Sequence, residues 1–185
     1  MAEGQLTFNR EKTCCFTGHR DRDLPFGGDR NTMGMKHLVS TLQLMIEEAE
    51  RDGYDTFICG MAEGVDLICA EIVHSLITHG HKIRLVCAVP YEGQIRDIKE
   101  LRDKYLYSML RDIYPTAVMS EKFHRECYKV RNLYMVERSS RLIGVYKHKE
   151  KGSGTLQTIS MARKAGLDLR LIKLDGNPVY YIDGE

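Results

Sequence analysis

Apolar positions along the chain fall into two alternating patterns. Short runs rich in β-branched, aromatic or Cys residues lie at Thr13–Thr17, Thr56–Cys59, Ile83–Val89, Thr116–Met119, Arg141–Tyr146 and Asp168–Lys173. Runs this short, bounded by Gly, Pro or polar residues, predict strands buried on both faces. Between them the apolar residues recur at helical spacing. Met35, Leu38, Val39, Leu42, Met45, Ile46 and Ala49 form one such stripe, with Gly53 placed to end it. Val65, Ile68, Cys69, Ile72, Val73, Leu76 and Ile77 form a second, ended by Gly80. Ile95, Ile98, Leu101, Tyr105, Met109, Leu110 and Ile113 predict a third helix stopped before Pro115. A fourth is predicted over Cys127 to Ser139 and a fifth over Gly154 to Ala165, with Gly166 as its stop.

Strand and helix alternate throughout. That order predicts an α/β fold: a Rossmann-like open, mainly parallel sheet with helices on both faces. No internal repeat or linker interrupts it, so residues 1–185 read as a single domain with its core over about 13–173. The tail from Leu174 is expected to add a small edge strand through Val179 to Ile182.

Charge narrows the partners. Lys and Arg total 27 and Asp and Glu 26, a net charge of +1. That leaves no polybasic surface for a membrane and no general affinity for nucleic acid. The six cysteines include no C-x-x-C pair and no Cys/His zinc spacing, so no metal is expected. Cys14, Cys15, Cys59 and Cys87 sit within predicted strands, as small hydrophobes do. Reduced thiols, a polar N-terminus and the lack of a membrane-spanning run lead us to expect a soluble, cytoplasmic protein.

Open α/β sheets bind ligands beyond the carboxyl ends of their strands. The turns there carry the unusual residues. Gly18, His19 and Arg20 follow the first strand, and Gly60-Met61-Ala62-Glu63-Gly64-Val65-Asp66 follows the second. The glycines Gly60 and Gly64 would let a ligand approach, and Asp66 or Glu63 could accept from a ribose hydroxyl. His19 is a donor or acid–base candidate, and Arg20 a phosphate fork. Arg131 and Asn132 lie early in the fourth helix; on its own, Arg131 reads as an exposed helix arginine. Gly152-Ser153-Gly154-Thr155 opens the fifth helix, where free N–H groups, the helix dipole and a hydroxyl suit an anion. No Gly-Lys-Ser/Thr follows, so this is not a P-loop. The third glycine of a dinucleotide fingerprint is replaced by Gln157, which argues against an NAD dehydrogenase.

Four motifs occur in order: Thr17-Gly18-His19-Arg20, Gly60 through Leu67, Arg131-Asn132 through Tyr134-Met135-Val136, and Gly152-Ser153-Gly154-Thr155. Together they resemble the SLOG superfamily, which joins the Smf/DprA and LOG (Lonely Guy) proteins, and most nearly its YpsA-like family. The resemblance spans roughly Thr13 to Lys173. It implies a fold that binds nucleotides or nucleotide-derived ligands, and it suggests a homodimer or larger homo-oligomer. The LOG branch hydrolyses the N-glycosidic bond of nucleoside monophosphates with a motif P-G-G-x-G-T-x-x-E and an earlier arginine. Arg131 matches that arginine, and Gly152, Gly154 and Thr155 match the G-x-G-T. The motif proline falls at Glu150, the next glycine at Lys151 and the glutamate at Thr158.

Glycosidic cleavage needs a carboxylate to stabilise the sugar cation or activate water. Gln157 and Thr158 can do neither, so catalytic residues are left unassigned, with Glu63 and Asp66 as candidates. The leading reading is therefore binding of a nucleotide or nucleotide-derived small molecule, such as a nucleoside monophosphate or an ADP-ribose-like metabolite, in a sensing or regulatory role and without a resident cofactor. The alternative is a LOG-type phosphoribohydrolase. A DprA-like DNA-binding role rests only on Lys147, His148, Lys149 and Lys151, and the charge balance argues against it.

Overall fold

The computed structural model describes residues 6–149, 153–175 and 181–184. Seven strands form one sheet in the order β4-β3-β2-β1-β5-β6-β7. They are β1 (Thr13–Gly18), β2 (Thr56–Cys59), β3 (Arg84–Val89), β4 (Thr116–Val118), β5 (Arg141–Tyr146), β6 (Asp168–Lys173) and β7 (Tyr181–Gly184). The first six are parallel, and β7 pairs antiparallel with β6. Among the described residues this edge strand covers Tyr181–Gly184, which overlaps the expected Val179 to Ile182 at Tyr181 and Ile182. The tail residues 176–180, among them Val179, lie outside the described residues.

Alternation along the strands divides the interior into two layers. Cys14, Phe16, Phe57, Cys59, Leu85 and Cys87 face one side, with α1 (Met33–Arg51), α2 (Val65–Thr78) and α3 (Leu101–Ile113) contributing the opposite wall. Cys15, Ile58, Val86, Ala88 and Leu142 face the other, under α4 (Cys127–Glu137) and α5 (Gly154–Lys164). Successive residues thus serve opposite layers, which is why these strands read as continuous apolar runs. All six cysteines are free and buried within this packing.

The third helix departs from its sequence pattern. Glu92–Asp97 is a 3-10 turn, Ile98 is extended, and α3 begins only at Leu101. The break has side-chain causes. Gln94 is buried and donates to the Gly60 carbonyl at 3.2 Å, while the Lys99 N–H donates to the Glu63 carboxylate at 3.1 Å. Ile98 is still buried, so the apolar stripe runs through a segment whose backbone is not helical.

Candidate functional site

The chain runs outward from β1 in both directions: β2, β3 and β4 lie on one side, and β5 and β6 on the other. The connections leaving β1 and β5 therefore diverge and open a crevice at the strand carboxyl ends, the switch point where doubly wound sheets take ligands. A cleft of about 230 Å³ lies there, lined by Gly18 at the end of β1, His19 and Arg20 after it, Asp66 of α2, Arg131 and Asn132 of α4, and Ser153, Gly154 and Thr155 at the start of α5. Nine of the residues singled out from sequence thus meet in one place, although they come from four separate segments of the chain.

Gly60 and Gly64 do not line the cleft, and the structure gives them another role. A Cβ at Gly60 would lie 1.5 Å from Arg131 Nη1. The space is filled by the guanidinium itself, which donates to Asp66 Oδ2 at 3.1 Å. At Gly64, φ is +89° and a Cβ would meet the His19 carbonyl oxygen at 2.5 Å. That glycine lets the start of α2 dock under the turn after β1, where the Val65 N–H donates to the His19 carbonyl at 3.2 Å. Gly18 is similar, since its Cβ would strike Val65 at 2.4 Å. Gly60 and Gly64 admit protein rather than line the cleft, whereas Gly18 does both.

Arg131 is 5% exposed, not a surface arginine. Burial pushes the Asp66 carboxyl upward, and the Arg131 guanidinium offsets this in part. Arg131 Nε is buried without a hydrogen-bond partner among the described residues. An unpaired charged donor is costly to bury, and here it belongs to a side chain that lines the cleft.

His19 ties the two sides of the cleft together. Its Nε2 accepts from the Lys147 N–H at 3.0 Å, and its Nδ1 lies 3.5 Å from Thr155 Oγ1. Nε2 also lies 3.3 Å from the Lys147 carbonyl oxygen, so either neutral tautomer finds partners here. Burial first, and then Lys149, hold His19 below the ordinary histidine value, against the opposing effects of the Lys147 backbone and Asp23. At the start of α5, Ser153 Oγ takes the Leu156 N–H at 3.2 Å, leaving the Gly154 and Thr155 N–H groups without partners among the described residues. Nothing lies within 4 Å of the place a Gly154 Cβ would occupy, so this glycine does face open space. Gly152, Glu150 and Lys151 lie outside the described residues.

Several cleft residues escaped the sequence reading. Tyr128 stands three positions before Arg131 on α4, and the Arg20 and Arg131 guanidiniums lie 5.9 and 5.8 Å from its ring centroid. Its hydroxyl and that of Tyr91 both donate to Asp97 Oδ2. Burial first and then Asp97 push the Tyr128 phenol upward, so it stays protonated. Helical spacing from Arg131 could have flagged Tyr128. Asp23 had no such signal: it binds Lys149 Nζ at 2.6 Å and Lys147 Nζ at 3.4 Å, partners more than 120 positions away.

Glu63 lies elsewhere. Its carboxylate takes the Lys99 N–H and lines a neighbouring groove of about 710 Å³ with Asp21, Glu100 and Asp103. There burial, and then Asp103, push Asp21 up to about 6. Thr158 is fully buried, and its hydroxyl donates to the Gly154 carbonyl at 2.8 Å. Among the described residues no group of three His, Cys, Asp or Glu could hold a metal, and no helix is long and apolar enough to cross a membrane.

With this geometry the chain can be set beside known proteins. The YpsA family model, described as the YspA SLOG family, matches residues 14–176. A UPF0398 protein of Bacillus cereus (strain G9842) is 26% identical over 160 residues, covering 84% of each chain. A UPF0398 protein of Bacillus thuringiensis (strain Al Hakam) is 24% identical over 158 residues, again covering 84% of each.

Proposed function

The chain belongs to the YpsA family of SLOG proteins, and on that premise we propose that its cleft binds the phosphate of a nucleotide or nucleotide-derived small molecule. One observation carries the reading: donors converge on one crevice. They are the Gly154 and Thr155 N–H groups and the buried Arg131 Nε, which have no partners among the described residues, together with the half-buried Arg20 guanidinium. Helix N-termini and arginine forks are the groups that phosphate oxygens satisfy. The charged lining residues Arg20, Arg22, Arg131 and Lys149 outnumber Asp23 and Asp66, which favours an anion.

The same geometry favours binding over cleavage. Asp66 is held by Arg131, Asp23 by two lysines, and Glu63 opens onto another groove. Among the described residues, neither carboxylate lining the cleft is left without a cationic partner. A bound nucleotide or ADP-ribose-like metabolite would then be sensed rather than consumed.

Calorimetric titration with AMP and with ADP-ribose tests this. Arg20→Ala should weaken binding about 10- to 100-fold, the worth of one charge-assisted bond of about 1.5–3 kcal/mol. Its melting temperature should stay close to that of the parent, because the Arg20 guanidinium is half-buried at the cleft and lies 5.9 Å from the Tyr128 ring centroid rather than within the core. Failure of both ligands to bind at millimolar concentration, or binding indifferent to Arg20, would sink the proposal.

A further inference from the structure

We propose that His19 takes up a proton when a dianion docks at the start of α5, so that anion binding in the cleft is proton-linked. This rests on the phosphate-site reading above and adds the group that sets its pH response.

The geometry is unusual in that both protonation states find partners without a change of rotamer. His19 Nε2 lies 3.0 Å from the Lys147 N–H and 3.3 Å from the Lys147 carbonyl oxygen. A neutral Nε2 accepts from the first, and a protonated Nε2 donates to the second. Nδ1 lies 3.5 Å from Thr155 Oγ1, a hydroxyl that accepts from a protonated nitrogen or donates to a bare one. His19 as a residue is 4% exposed, so bulk water contributes little to either state. One nitrogen touches the residue that leaves β5, and the other touches Thr155, whose own N–H has no partner among the described residues. An anion held by Gly154 and Thr155 therefore sits beside the imidazole.

The surrounding charges explain why the ring is neutral beforehand. Lys147 and Lys149, beyond β5, oppose an imidazolium. Asp23, in the turn after β1, favours one, but its carboxylate is shared between those two lysines. Asp66 of α2 and Arg131 of α4 offset each other. Burial then decides for the neutral form. A dianion changes that balance, since an opposite charge within about 4–6 Å raises a histidine pKa by about 1–3 units. The proton comes from solvent, and the complex gains an imidazolium beside the anion.

Sulfate is the appropriate probe, because its charge does not change between mildly acidic and mildly alkaline pH whereas a phosphate monoester titrates. Calorimetry at neutral pH in two buffers of different ionisation enthalpy should show uptake of about half to one proton per sulfate. Affinity should fall by up to about tenfold per pH unit between the free and bound midpoints. In parallel, NMR titration of the His19 ring, assigned by its loss in His19→Gln, should show a midpoint about 1–3 units higher with sulfate than without. The NMR readout uses the unmodified protein, so it stands even if His19→Gln folds poorly.

Sulfate binding with no proton uptake and an unmoved His19 midpoint would overturn this inference and leave the anion site intact. Failure of sulfate, AMP and ADP-ribose alike would overturn the anion site itself, and this inference with it. If AMP binds and sulfate does not, the His19 titration with AMP decides by the same criterion.

Discussion

Gly60 shows how a residue can shape a cleft without lining it. The absence of its side chain leaves room for the Arg131 guanidinium, which in turn neutralises Asp66 in the first turn of α2. Gly60→Ala would place a methyl 1.5 Å from Arg131 Nη1, so the ion pair cannot survive in its present form. Removing one partner of a buried pair costs about 3–5 kcal/mol, because the other charge is left uncompensated. We therefore expect Gly60→Ala and Arg131→Ala each to lower stability by that order in urea melts. Arg131→Ala combined with Asp66→Ala should lose less than Arg131→Ala alone. A loss of less than about 1 kcal/mol for either single variant would show that the pair is not structurally required. Sequence marked all three residues, but not their relation. Gly60 and Arg131 are 71 positions apart, and only the folded sheet reveals that a gap in one is the seat of the other.

At the scale of elements, the sequence was most readable where burial and backbone state agree. The strands, α1, α2 and α5 fall where their apolar periodicity put them. The stretch from Ile95 to Ile113 did not, because Ile98 keeps its buried position while Gln94 and Glu63 bind backbone groups across the turn. Periodicity reports which residues are inside, not whether the chain between them is helical. The start of α5 gives the opposite lesson. Its glycines and cap were legible, but the position matching the LOG glutamate, Thr158, points into the protein. Thr158→Glu would bury a carboxylate beside Ile159 and Ala162 rather than present it to the cleft. We expect this variant to lose at least about 1–3 kcal/mol of stability and to gain no activity. Melting temperature and chromatographic release of free base from AMP check both. A stable Thr158→Glu protein that hydrolyses AMP would mean α5 rotates to expose this face.

For the molecule as a whole, the cleft exists because the strand order reverses at β1, and its rim is closed by one carboxylate, Asp23, that meets lysines from the far side. The strand alternation predicted the crevice. It could not predict the clasp, because Asp23 sits in an irregular turn and its partners follow β5. Burial alone would raise Asp23, but the Lys149 and Lys147 contacts hold it below the ordinary aspartate value. The clasp thus adds stability above that ordinary value and loses it as pH falls through the lower folded one. At neutral pH it also withholds positive charge from the site, since Lys149 lines the cleft. Asp23→Asn removes one negative charge from the rim and frees both ammonium groups. A unit charge at about 4 Å is worth about 1 kcal/mol in water, so AMP affinity should rise about fivefold at low ionic strength. The gain should shrink toward nothing near 1 M salt, where screening acts within about 3 Å. Equal affinity in both proteins at low salt would place the freed lysines out of reach of the ligand. Weaker binding by Asp23→Asn would mean instead that the clasp itself shapes the cleft.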